Sequence, residues 1–144
     1  AYWQVDGNTD RSRRLYGKMS YRWGGFYSGR SRIVNLQAGF RPWSSLSGEV
    51  SLVYNDIDLP QGAFVNHLLR TRFVWSFSTR LFLMSLIQWN SDTGDVDMNI
   101  RLNFIHRPGS DIYIVYNERR DVEGLAQGLR DRTLALKFNY LFNF

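Results

Sequence analysis

Two histidines, His67 and His106, and no cysteine are the only imidazole and thiol chemistry available in this chain of 144 residues. Disulfides and thiolate metal sites are therefore excluded. A hydrolytic triad needs a serine, a histidine and an acid converging at one point. Around His106 stand Ile105, Arg107, Ser110 and Asp111, with Pro108 and Gly109 between them, and this grouping reads as a reverse turn. Sequence alternation puts His67 and His106 at opposite ends of their strands, too far apart to share a metal or a substrate. No phosphate-cradling glycine loop and no acidic metal cluster is present, so no catalytic residue, metal or cofactor is expected.

What the chain does carry is charge at regular intervals. Lys18, Arg22, Glu49, Arg70, Arg72, Asp97, Arg101 and Lys137 each fall mid-segment, on the polar parity of an alternating pattern. Six cations against two acids make a surplus of about four, a surface that draws anions. Glu49 is expected to pair with Arg70 or Arg72 on the next strand. The formal charge of +5 is by itself uninformative, and the interleaving of basic and aromatic residues is explained by strand alternation, so nucleic acid is not an expected partner. The mixed run Glu118, Arg119, Arg120, Asp121, Glu123 reads as a solvated loop.

The elements that position these groups are strands. Helical periodicity is nearly absent, and two-residue alternation returns between turn signals. Eight strands are expected, at 14–23, 30–40, 46–55, 67–77, 80–90, 96–106, 111–118 and 133–143, with residues 1–13 a lead-in to a β-domain over 14–144. The connections at one end (24–29, 56–66, 91–95, 119–130) read as longer than those at the other (41–45, 78–79, 107–110). No apolar run reaches the eighteen or so residues of a spanning helix.

Aromatic content of 16% beside a mean hydropathy of -0.35 requires the two kinds of residue to be segregated in space. Along the alternating strands Trp23, Tyr54, Trp89 and Tyr116 collect at the long-loop end. Phe40, Phe77, Phe104 and Phe142 collect at the other. Aliphatic residues lie between these two girdles and no charge interrupts them, as at a lipid surface, where a mid-bilayer Arg or Lys costs ~2–4 kcal/mol. Strands of about ten residues, tilted near 40°, cover roughly 25 Å, the height of an outer-membrane apolar band. The expected fold is all-β: a transmembrane antiparallel up-and-down β-barrel of about eight strands, complete or the C-terminal part of a larger one. An even strand number would allow closure that removes both edges. A soluble lipocalin-like barrel would put the same apolar face inside, leaving the charged lining unexplained.

At the long-loop rim Arg30 and Arg32 lie on the apolar parity, where a guanidinium meets lipopolysaccharide phosphates bidentately or snorkels into water. The final stretch TLALKFNYLFNF, with Tyr140, Phe142 and Phe144 in alternation, resembles the sorting signal read by the bacterial barrel-assembly machinery.

Three stretches carry a more specific likeness: DLPQGAF (58–64), LFLMSLIQWNS (81–91) and IRLNFIHRPGSDIYIVYNERRD (100–121). Together they resemble the C-terminal barrel of an uncharacterised bacterial outer-membrane family in which a carbohydrate-binding family-9-like domain precedes the barrel. The resemblance implies an outer-membrane location and a barrel fold. It implies no catalytic residues, and the carbohydrate-binding partner domain lies outside this chain. The functions weighed are an outer-membrane scaffold without catalysis, a pore favouring anions or small polar solutes, and, disfavoured by the histidine positions, a lipid-modifying enzyme.

Overall fold

In the computed structural model, residues 2–124 and 128–141 are described, and their regular elements are all strands. These are β1 (Tyr2–Asn8), β2 (Leu15–Phe26), β3 (Gly29–Trp43), β4 (Leu46–Leu59), β5 (Gly62–Ser76), β6 (Leu81–Asn90), β7 (Asp95–Arg107), β8 (Ser110–Asp121) and β9 (Gly128–Asn139). They form one antiparallel sheet in sequence order, each strand pairing with the next.

The strand count departs from eight because Tyr2–Asn8, expected as part of a lead-in, alternates as a strand and pairs with β2 from Tyr2↔Gly24 to Asn8↔Lys18. The loop-length asymmetry is also corrected. The stretches 24–29 and 56–66 are not long loops: β2 and β3 run on to a two-residue turn at Tyr27–Ser28, and β4 and β5 run on to one at Pro60–Gln61. Pairing propagates there because Arg30 faces Asp58, Arg32 faces Asp56 and Ile57 faces Phe64, and such cross-strand pairs stabilise a ladder. Six residues join β1 to β2, at the end expected to hold short turns, and six join β8 to β9, at the end expected to hold long ones. The Pro108–Gly109 turn is as expected: Gly109 has φ 79°, which a type II turn requires at its third position.

β1 pairs only with β2 and β9 only with β8, so the sheet is open. In an up-and-down sheet the first and ninth strands run in the same direction, and joining them would make a parallel seam. The even-numbered closure expected from eight strands is therefore replaced by two like-directed edges.

No apolar side chain among the described residues is buried; the buried side chains are those of Asp95, Ser110 and Asp121. A water-soluble domain of this length ordinarily hides an apolar core. Here most aliphatic residues stand on one open face instead, while Val53, Leu68, Val74, Met84, Leu86 and Val115 stand on the other among the charged residues.

Candidate functional site

Each strand carries two sets of side chains, and the register decides which sets share a face. One row crosses the sheet from Lys18 through Gln37, Ser51, Arg70, Gln88, Asp97 and Arg119 to Asp131. Glu49 and Arg72 lie opposite each other one row nearer the β1–β2 connection. Arg101 pairs with Val115, Lys137 with Tyr113 and Arg22 with Gln4, all on this same parity. The eight charged residues singled out in the sequence thus share one polar face.

Their partners differ from expectation. The Glu49 carboxylate accepts a hydrogen bond from the Tyr16 hydroxyl at 3.0 Å, and no ion pair within 4.0 Å joins it to Arg70 or Arg72. Tyr16 reaches two strands across because Gly39 stands between them: a β-carbon at Gly39 would overlap the Tyr16 ring. Phe40 covers Gly48 in the same way on the opposite face. Arg119, read in the sequence as part of a loop, is a strand residue whose guanidinium meets Asp97 at 2.6 Å.

Asp121, also assigned to that loop, ends β8 and is only 5% exposed. It lies opposite Asp95, and Arg130 bridges the two carboxylates at 2.7 Å and 3.1 Å. Asp121 also accepts the amides of Gly124 at 2.6 Å and Glu123 at 3.2 Å. The Arg130 hydrogen bond, followed by the Gly124 amide, holds the Asp121 carboxyl below the usual carboxylate range. The run is a folded knot between two turns, not a solvated loop.

These longer strands revise the charge balance. Asp6, Asp95, Asp111, Asp121 and Asp131 join the polar face with Arg41, Arg119 and Arg130, so nine cations stand against seven acids. The surplus of about four shrinks to two, but the charges are sorted. Several acids gather toward one rim, where arginines satisfy three of them, while Lys18, Arg70, Arg72, Arg101 and Lys137 have no ion pair within 4.0 Å.

On the opposite face Met19, Leu36, Leu52, Leu69, Trp89 and Val96 form one row. A second runs Trp43, Leu46, Trp75, Leu83, Leu102, Ile114, Leu136. The aromatic residues do not follow such rows. Traced back to β2, Tyr54 lands at Tyr21, Trp89 at Met19 and Tyr116 at Leu15, respectively two, four and eight residues below Trp23. The other line descends too: the row of Phe40 meets β7 at Ile100, four residues short of Phe104. From Trp23 to Trp89 and from Phe40 to Phe104 each line descends four residues over four strands, the lower one unevenly because Phe77 lies level with Leu81 and Phe104. The lines are eight residues apart from Leu15 to Trp23 and from Leu81 to Trp89.

Trp3 and Trp75 were not singled out in the sequence as members of these lines, whereas His67 reads there as a girdle or turn residue. Trp3 faces Trp23, Trp75 stacks on Phe77 at 4.3 Å, and His67 sits between Tyr54 and Trp89 at 4.9 Å and 6.3 Å. Alternation with Phe73 and Phe77 is the signal that could have found Trp75. The Ser91 hydroxyl lies 3.4 Å from the His67 ring while accepting the His67 amide at 2.8 Å. No carboxylate hydrogen-bonds that ring among the described residues, so the contact clamps a turn.

Charge on the apolar face stands at its margins. Arg32 lies 3.7 Å from Asp56, Arg30 faces Asp58, and the four line a depression of about 280 Å³. Across the sheet Glu118 accepts from Tyr116, Arg120 and Arg132. Tyr140, just past β9, has the Arg107 guanidinium 4.4 Å above its ring, and Phe142 and Phe144 lie outside the described residues.

No protein-family model, curated protein or solved structure matches this chain. The class is defined by its own geometry: an all-β, antiparallel up-and-down sheet with most of its charge on one face and a mainly apolar opposite face.

Proposed function

We propose that this sheet is part of a transmembrane β-barrel of a bacterial outer membrane, serving as a scaffold with no catalysis of its own, its apolar face against lipid and its polar face toward the lumen. The observation that carries the reading is the parallel descent of the two aromatic lines. One residue per strand, ~3.3 Å of rise against ~4.8 Å of strand spacing, makes both lines level when the strands tilt about 35°, the inclination of membrane barrels. Eight residues at that tilt span about 22 Å, close to the roughly 25 Å of an outer-membrane apolar band. A soluble sheet has no reason to keep two such lines parallel.

Because β1 and β9 run the same way, an odd number of further strands would close the barrel with every pair antiparallel. Arg30 and Arg32, with Asp56 and Asp58, lie just above the upper line, at the height of lipopolysaccharide phosphates. Tyr140, Phe142 and Phe144 supply the signal for the barrel-assembly machinery, and the resemblance adds a carbohydrate-binding domain as a partner outside this chain. The test is refolding of the chain in detergent with spin labels at Leu136 and Ile100. In a bilayer both labels sense dissolved oxygen; a tightly packed environment sealed from acyl chains overturns the assignment.

A second reading, a pore favouring anions, is supported by the unpaired cations in the middle of the polar face. Planar-bilayer recordings showing no conductance, or preference for cations, would remove it.

A further inference from the structure

We propose that Arg70 and Arg72, with Ser51, Gln88 and Asn99 beside them, bind small polar solutes that carry an oxyanion, a phosphate or carboxylate, next to hydroxyl groups. The proposal rests on the polar face being the wetted face of the sheet. It names what a lumen of this kind would hold.

The two arginines are separated by one residue on β5 and so project from the same face, about 7 Å apart along the strand. Like charges at that spacing are usually compensated. Glu49 is the nearest acid by register, directly opposite Arg72. Its carboxylate is instead hydrogen-bonded to Tyr16, which can lie across the sheet only because Gly39 has no side chain. The fold thus draws the natural counter-ion sideways and leaves two guanidinium groups without an ion pair.

Those groups border a depression of about 500 Å³, large enough for a small sugar-sized molecule. Glu49 also lines it, with its carboxylate hydrogen-bonded to Tyr16, and Ser51, Gln88 and Asn99 supply uncharged polar groups. Ser51 and Gln88 flank Arg70 on the two neighbouring strands. Asn99 donates its amide to Asn117 at 2.5 Å, which leaves its carbonyl oxygen to accept from a solute hydroxyl. Paired guanidinium forks match an oxyanion in shape as well as charge. Hydroxyl and amide groups around them favour a polar solute over a bare anion.

The test is isothermal titration of the full chain, folded in detergent, with inorganic phosphate, glycerol phosphate and glycerol. Glycerol phosphate is expected to bind more tightly than phosphate, and glycerol not at all. R70Q/R72Q should lose at least about tenfold in affinity, whereas R101Q, on the same face but outside the depression, should not. Y16F alters no charge at neutral pH, yet by releasing Glu49 toward Arg72 it should weaken binding severalfold. Absence of phosphate binding to the folded native chain, or equal binding by R70Q/R72Q, overturns the site. Heat-modifiable gel migration of the same samples judges the membrane reading separately: a chain that folds as a barrel but binds no phosphate defeats only the site.

Discussion

Tyr16 and Glu49 stand two strands apart and are joined by a 3.0 Å hydrogen bond that passes over Gly39, the glycine of the intervening strand. The ring occupies the space of a missing β-carbon, so three strands are locked by one side chain. The same contact withholds Glu49 from the arginines beside it.

Gly39→Ala would place a methyl group within the Tyr16 ring and force it to move. A loss of about 1–3 kcal/mol is expected from overpacking, and of about 1 kcal/mol for Tyr16→Phe from the lost hydrogen bond. Because both changes break one lock, Tyr16→Phe should be nearly silent in the Gly39→Ala background. Urea unfolding in detergent, followed by tryptophan fluorescence, measures all three.

Leu36 and Gln37 are chain neighbours on opposite faces. In a bilayer, Leu36→Arg should cost about 2–4 kcal/mol, while Gln37→Arg stays within about 0.5 kcal/mol of the parent. Equal costs at the two positions would mean that the apolar face does not meet hydrocarbon. Reversible unfolding from liposomes discriminates the outcomes.

Arg130 holds Asp95 and Asp121 together beside two turns. Arg130→Ala leaves two facing carboxylates without their shared cation, and the amides of Val122, Glu123 and Gly124 should exchange with solvent roughly tenfold faster. The folded Asp121 carboxyl is held below its ordinary value, so its contribution is present above about pH 4 and is lost as pH falls through the lowered folded value. Exchange at these three amides, followed from pH 6 downward, should therefore lose its dependence on Arg130 only in acid.

Arg30 and Arg32 sit above the upper aromatic line with Asp58 and Asp56 opposite them on β4. Arg30→Gln/Arg32→Gln should reduce retention of lipopolysaccharide severalfold in native mass spectrometry without changing heat-modifiable migration. Unchanged retention would show that these side chains merely extend into water.

The sequence by itself determined the strand class, the two faces and the residues on each, because in an extended chain side chains alternate with period two whatever the neighbouring strand does. Lys18, Arg70, Asp97 and Lys137 could be assigned to one face, and Trp23, Tyr54 and Trp89 to the other, from that local rule alone. The tertiary structure decided what depends on pairing between strands. It turned Tyr2–Asn8 into a ninth strand and thereby left two edges running in one direction. It carried β4 and β5 through polar residues to a two-residue turn, set the stagger that makes the aromatic lines oblique, and gave Glu49 to Tyr16 across Gly39. Those outcomes follow from backbone hydrogen bonds and side-chain contacts between segments, and alternation within one strand carries no record of them.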